Sequence, residues 1–156
     1  MANAAPNAFG AQLAYPGRQT IALCGDGGYT MLALGDLLTQ VERKTPVVQI
    51  VLNNGSLDFV NIEMQEAGII PFGVEFKNPN FVKVADAMGA KGIRIEEPCE
   101  VREGLAEALA YKEGRSSSTR SSILSLCPYR RMFLFKRPKA PLLALPNKYG
   151  AARWTR

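Results

Sequence analysis

The sequence predicts an α/β fold built as a doubly wound parallel sheet. Short apolar runs of strand length alternate with stretches of helical periodicity, giving the order α-β-α-β-α-β-α over the first 111 residues. The first two apolar runs each end in turn-forming residues, Gly25-Asp26-Gly27-Gly28 after one and Asn53-Asn54-Gly55-Ser56 after the other. A helical pattern joins the two runs. Both polar sets therefore fall at carboxyl ends of strands, the edge of a parallel sheet where ligands bind.

Each element has a local reason. Met1–Leu13 is rich in Ala and reads as a short helix. Tyr15-Pro16-Gly17-Arg18 is a turn that feeds the first strand, Gln19–Cys24. Tyr29–Arg43 places Leu32, Leu34, Leu37, Leu38 and Val41 at near-helical spacing, with Asp36 and Glu42 on the polar face. Pro46–Leu52 is nearly continuous in apolar residues and reads as a buried strand. Asp58 precedes Phe59-Val60-Asn61-Ile62-Glu63-Met64 and is expected to cap that helix, which puts Glu63 and Glu66 on its surface. Pro71–Asn80 is a loop. Phe81–Met88 is a helix pattern with Val82, Val84, Ala85 and Met88, and Gly92–Ile95 is a short strand. Pro98–Tyr111 is a helix with Val101, Leu105, Ala108 and Leu109 inward.

The two strand tips suggest a chemistry. Asp26 offers a hard carboxylate, the Asn53/Asn54 pair offers amide oxygens, and a carbonyl of the following loop supplies a third oxygen. One carboxylate with neutral oxygens, completed by phosphate and water, is how Mg²⁺ is usually held. Gly27 and Gly28 carry no side chain, so an anion can approach the backbone where a helix begins, and a helix N-terminus favours phosphate. The residues point to a metal–diphosphate site. A nicotinamide-type site fits less well, because an acid stands where a glycine-rich loop would meet pyrophosphate directly.

Gly25-Asp26-Gly27, a helix-length gap and then Asn53-Asn54 resemble the signature of thiamine-diphosphate-dependent enzymes. The flanking stretches Met1–Pro6, Gly10–Arg18, Leu23–Leu32, Asn53–Val60 and Lys91–Glu96 extend the match. Together they are similar to the C-terminal cofactor-binding domain of the pyruvate oxidase and pyruvate:quinone dehydrogenase branch, over residues 1–114. The resemblance implies Mg²⁺ on Asp26, Asn54 and the Ser56 carbonyl. It implies thiamine diphosphate held at Gly25, Gly27 and Gly28, with Met1, Leu57 and Phe59 lining the thiazolium ring. Gly55, Asp58 and Val60 belong to the loop that runs along the cofactor.

Relative to that family, Met31–Asp36 carries one residue too many. Asn53 thus sits at the usual distance from Asp26, but alignment from the strand end puts Asn54 at the metal, with the excess absorbed near Ala33–Gly35. The family oxidises pyruvate with loss of CO₂, passing electrons through FAD to a quinone or oxygen. Its FAD domain and its pyrimidine-binding domain, which holds the activating glutamate, have no counterpart here. The chain is therefore expected to be a fragment truncated at both ends, with Met1 an internal methionine. It is also expected to be inactive by itself, and to form a homo-oligomer or to associate with the missing domain.

Composition narrows the alternatives. A chain of 156 residues with 47% hydrophobic content suits one domain. No run of 18 apolar residues is present, and Met1–Ala14 lacks the pattern of a secretory signal, so a cytoplasmic protein without a transmembrane segment is expected. The three cysteines have no paired spacing, which argues against a disulfide framework or a zinc site, and Cys24 reads as a small buried hydrophobe. Histidine is absent, which removes Ser-His, Cys-His and His-metal chemistry.

The net charge of +5 is unevenly distributed. Residues 1–114 hold nine Lys/Arg and 14 Asp/Glu, whereas residues 115–156 hold ten Lys/Arg and no acid. That change marks a boundary. One reading of the basic tail is a non-catalytic module that binds nucleic acid or anionic surfaces. The favoured reading is a frameshift near Gly114–Ser116. Read two nucleotides late, Ser122–Leu124, Tyr129–Phe133, Arg137–Ala140 and Ala152–Arg156 can encode, in order, pieces of the family's usual C-terminus. On that reading the last core strand is lost, an apolar sheet edge stays unpaired, and residues 115–156 are disordered or mispacked.

Overall fold

The computed structural model describes residues 1–111 and 122–126. Helix α1 (Ala4–Ala14) leads to strand β1 (Thr20–Gly25), then to α2 (Asp26–Gly28), a π-helical turn (Tyr29–Ala33) and α3 (Leu34–Glu42). Strand β2 (Val47–Leu52) is followed by α4 (Asp58–Glu66), α5 (Phe81–Ala87) and β3 (Lys91–Ile95). A 3-10 turn (Pro98–Glu100), α6 (Val101–Ala110) and β4 (Ser122–Leu126) complete the described chain.

The four strands form one sheet in the order β1-β2-β4-β3, and every neighbouring pair is parallel. Helices pack on both faces. Ala5 and Ala8 of α1, Leu37 of α3 and Phe81 and Ala85 of α5 meet Ala22, Cys24, Val47 and Val51 on one side. On the other, Ala108 and Leu105 of α6 meet Val48, Ile50 and Ile95. This is the doubly wound arrangement, and β2 is buried on both faces as its apolar run requires. Beyond α6 no described helix covers the second face of β1, where Ile21 and Leu23 are exposed.

Strand β4 overturns one expectation. The frameshift reading leaves the last core strand missing and the sheet edge open. Instead Ser122–Leu126 fills the slot between β2 and β3, with Val48, Ile50 and Leu52 facing Ser122, Leu124 and Leu126 across one ladder, and Lys91, Ile93 and Ile95 across the other. A slot with hydrogen-bond partners on both sides and a predominantly apolar Ser-Ile-Leu-Ser-Leu run outweighs the low strand preference of serine. Ser125 is buried there. The remainder of the tail, including the basic residues of the nucleic-acid reading, lies outside the described residues.

The helix after β1 also departs from a regular pattern. Its residues Tyr29–Ala33 wind as a π-turn, the usual way a helix takes in one extra residue. The turn lies at and just upstream of Ala33–Gly35, the place expected for the extra residue, and β1 and β2 keep an unbroken register from Thr20↔Val47 to Gly25↔Leu52. The turn also shifts the helix phase, so Leu32 and Leu38 are exposed while Leu37 and Tyr29 are buried. Burial and the T-shaped contact of Tyr29 with Phe81 anchor the turn to the core. Burial likewise pushes the Cys24 thiol up to about 11, in keeping with a buried small hydrophobe.

The core contains a buried amide pair. Gln49 of β2 donates its Nε2 to Gln40 Oε1 of α3 at 2.6 Å, while Gln40 Nε2 and Gln49 Oε1 have no partner among the described residues. Replacing one partner leaves a buried amide unpaired at a cost of about 1–3 kcal/mol, whereas replacing both by apolar residues removes the penalty. Gln40→Leu and Gln49→Leu are each expected to lower the urea midpoint, and the double variant to recover most of the loss. Additive losses in the double variant would show that the pair is not coupled.

Candidate functional site

The last rung of the β1–β2 ladder is Gly25↔Leu52, so Asp26 and Asn53 are the first residues past two adjacent strand tips. Asp26 is only 2% exposed. Its Oδ1 accepts from the Gly27 N–H at 2.8 Å, and its Oδ2 accepts from the Gly55 N–H and from Asn78 Nδ2, both at 2.6 Å. Among the described residues the ion pairs are Lys91–Glu107 and Arg94–Glu96, and neither involves Asp26. A buried carboxylate held by neutral N–H donors with no counter-charge is costly unless a cation completes it.

Asn78 arrives from far along the chain. The segment after α4 pairs antiparallel with the loop after β2, through the Ser56↔Glu75 bridge and the bonds Leu57 N–H to Val74 O and Phe76 N–H to Gly55 O. That pairing lays Asn78 against the strand tips. Its Nδ2 donates both to Asp26 Oδ2 and, at 2.8 Å, to Asn53 Oδ1. Its own Oδ1 accepts from Thr30 Oγ1 at 3.2 Å. One side chain thus ties β1, β2 and the π-turn together. The sequence held no periodicity that singled out Asn78, Phe76 or Thr30.

Asn54 is placed differently from Asn53. Its Nδ2 donates to Asp58 Oδ2 at 2.6 Å and its Oδ1 accepts from the Ser56 N–H at 3.0 Å, so its side chain serves the start of α4 and not Asp26 in this structure. Asp58 is the first residue of α4 and not its cap. The cap position falls on Leu57, with no side-chain bond, and Asp58 instead sets its charge in the first turn, where the helix dipole favours it.

The glycines are covered by the protein itself. A Cβ at Gly27 would lie 2.7 Å from Leu57 Cδ2 and 3.2 Å from Phe76 Cζ, and one at Gly28 would lie 3.0 Å from the Ala2 backbone nitrogen. The expected bare backbone is therefore found only at Gly25, where a Cβ meets nothing within 4 Å. At Gly27 the cover is the flexible end of Leu57. Gly55 has a φ of +70°, a left-handed conformation that suits glycine at the turn under Asp26. Of the expected ring-lining residues, Leu57 is half-buried on Gly27, while Met1 and Phe59 are exposed; Val60 of the same loop is exposed too.

The donor set suits a hard cation. Among the described residues no group of three His, Cys, Asp or Glu is placed to hold a metal. An ion at this edge would rely on one carboxylate with amide and carbonyl oxygens, the composition that Mg²⁺ accepts alongside phosphate and water. An open cleft of about 470 Å³ adjoins it, lined by residues including Asn53, Asn54, Gly55, Lys77, Asn78 and Arg94.

The sequence profile described as "Thiamine pyrophosphate enzyme, C-terminal TPP binding domain" matches residues 1–117. The chain belongs to this thiamine pyrophosphate enzyme family. Within the family it is 35% identical to acetolactate synthase of Bacillus subtilis over 106 residues, which is 68% of the chain and 18% of that protein. It is 38% identical to pyruvate oxidase of Lactiplantibacillus plantarum over 93 residues, 59% of the chain and 15% of that protein. Among solved structures, the thiamine diphosphate-dependent 4-hydroxybenzoylformate decarboxylase of Rhodococcus jostii superposes with a TM-score of 0.70 at 28% identity. That match covers 81% of this chain and 23% of the decarboxylase. The chain thus spans under a quarter of each of these family members. No helix among its described residues is long and apolar enough to cross a membrane.

Proposed function

We propose that this TPP-binding domain holds the diphosphate of thiamine diphosphate through one Mg²⁺ at the tips of β1 and β2. The observation that carries the reading is the buried Asp26 carboxylate, which three N–H donors orient and which forms no ion pair among the described residues. The proposed ligands are Asp26, the Asn54 amide oxygen and the Ser56 carbonyl. Support for Asn54 comes from the π-turn, which takes up the extra residue inside the helix and leaves the β2 tip in register. Asn53 is tied to Asn78, whereas Asn54 is exposed and can turn to the ion by releasing Asp58 and the Ser56 N–H.

When bound, the cofactor supplies carbanion stabilisation next to a keto group. The protein's part is to anchor and orient it. Asp26, the Asn54 amide oxygen and the Ser56 carbonyl would hold the ion, and the flexible end of Leu57 would have to leave Gly27 for a phosphate to reach that backbone. The chemical class proposed for the whole enzyme is a 2-keto acid, with pyruvate first, since both a pyruvate oxidase and an acetolactate synthase match at similar identity. By itself the chain binds and does not turn over. Glu63 and Glu66 lie on α4, which buries no residue, so neither is set to act on the cofactor, and FAD has no assigned place in this chain. Calorimetric titration of thiamine diphosphate in saturating Mg²⁺ tests the ligand set. Asn54→Ala is expected to weaken binding on the order of tenfold or more, and Asn53→Ala to weaken it less. The reverse order would move the amide ligand to Asn53.

A further inference from the structure

We infer that Asn78 sets which divalent cation the site prefers, by leaving only one oxygen of Asp26 open to the ion. This rests on the cation reading above and adds a residue that acts through Asp26, not on the cofactor. A carboxylate oxygen offers two lone-pair positions. On Asp26 Oδ2 both are used, one by the Gly55 N–H and one by Asn78 Nδ2. On Oδ1 one is used, by the Gly27 N–H, and one is open. Asp26 therefore presents a single ligand position.

The side chain of Asn78 is itself fixed. Its second amide hydrogen goes to Asn53 Oδ1, and its carbonyl oxygen takes the Thr30 hydroxyl hydrogen. It is partly buried, and the bridge between Ser56 and Glu75 holds the segment that carries it. Its amide cannot swing away from Oδ2 without breaking contacts to three elements. A one-position carboxylate suits Mg²⁺, which demands six ligands in near-ideal octahedral geometry. Ca²⁺ takes six to eight oxygens and readily uses a carboxylate through both of its oxygens. Removing the Asn78 donor opens a position on Oδ2 and lets Asp26 bind through both. Asn78 is thus a positioning residue whose effect is on selectivity.

The test measures Mg²⁺ and Ca²⁺ affinities of the full 156-residue chain in saturating thiamine diphosphate by competition against Mn²⁺, followed by electron paramagnetic resonance. Asn78→Leu keeps the branched shape of the side chain and removes the donor. It is expected to shift the Ca²⁺-to-Mg²⁺ affinity ratio toward Ca²⁺ by about tenfold. Thr30→Val removes the contact behind Asn78 and is expected to shift the ratio the same way by about threefold. Loss of stability alone would lower both affinities in parallel and leave the ratio unchanged, which overturns the inference. If Asn78→Leu fails to fold, an unchanged ratio in Thr30→Val overturns it equally. Asp26→Ala separates the two levels. Ion binding that survives in Asp26→Ala, or a wild-type chain that binds neither ion, refutes the cation reading and this inference with it. Binding that Asp26→Ala abolishes, with no ratio change at Asn78 or Thr30, refutes the inference alone.

Discussion

Asp26→Ala is expected to abolish Mg²⁺-dependent binding of thiamine diphosphate, with affinity lowered on the order of a hundredfold or more. Loss of a group that merely supports a ligand typically costs 10–100-fold, and Asp26 is the one carboxylate in the proposed donor set. The same change removes the acceptor of three N–H groups, from Gly27, Gly55 and Asn78. Each buried donor left without a partner costs about 1–3 kcal/mol, so the variant is also expected to melt earlier. Asp26→Asn separates the two effects. It keeps the size and one acceptor oxygen but loses the charge, so cofactor binding should fall almost as far while the melting temperature falls less. If Asp26→Asn binds the cofactor as wild type does, the charge at the β1 tip has no role in holding a cation.

The second large effect lies in the core. Gly92 of β3 packs directly under α5, where a Cβ would stand 2.8 Å from both Cα and O of Val82 and 2.9 Å from its Cγ1. Two of those neighbours are backbone, which cannot swing aside, so α5 must lift from the sheet. Gly92→Ala is expected to destabilise the chain by about 1–3 kcal/mol, as overpacking of a close contact does. Because α5 follows the segment that delivers Asn78, the same variant should loosen the site. Gly10 lies within α1 with nothing within 4 Å of its would-be Cβ. Gly10→Ala is therefore expected to be neutral or to stabilise by up to about 1 kcal/mol. Equal denaturant midpoints for the two variants would contradict the close α5–β3 contact.

Much of this fold was legible in the sequence because periodicity and turn residues acted together. The runs before Asp26 and Asn53 are strands, and helical spacing foretold α3, α5 and α6 within a residue or a turn. Strand β4 was not legible. Ser122–Leu126 follows a Ser-rich stretch, alternates weakly, and becomes a strand through the two neighbours that flank it. At the site, Asp26 could be read from its glycine flanks and its place after a strand. Asn78 could not, because its position depends on a pairing between two loops that carry no regular pattern. Gly27 was read for the right absence and an incomplete reason: its missing side chain makes room for Leu57 and Phe76 in this structure. Asn54 was legible as a strand-tip amide, but its engagement by Asp58 depends on how α4 begins.

The most direct test is the affinity of the 156-residue chain for thiamine diphosphate as Mg²⁺ is titrated in from an EDTA-treated start, with unphosphorylated thiamine as the comparison. Binding should be negligible without the ion, rise to saturation with a single Mg²⁺ per chain, and be lost when the diphosphate is absent. Thiamine diphosphate that binds as tightly in EDTA, or thiamine that binds as well as its diphosphate, would show that the strand tips do not grip the cofactor through a cation.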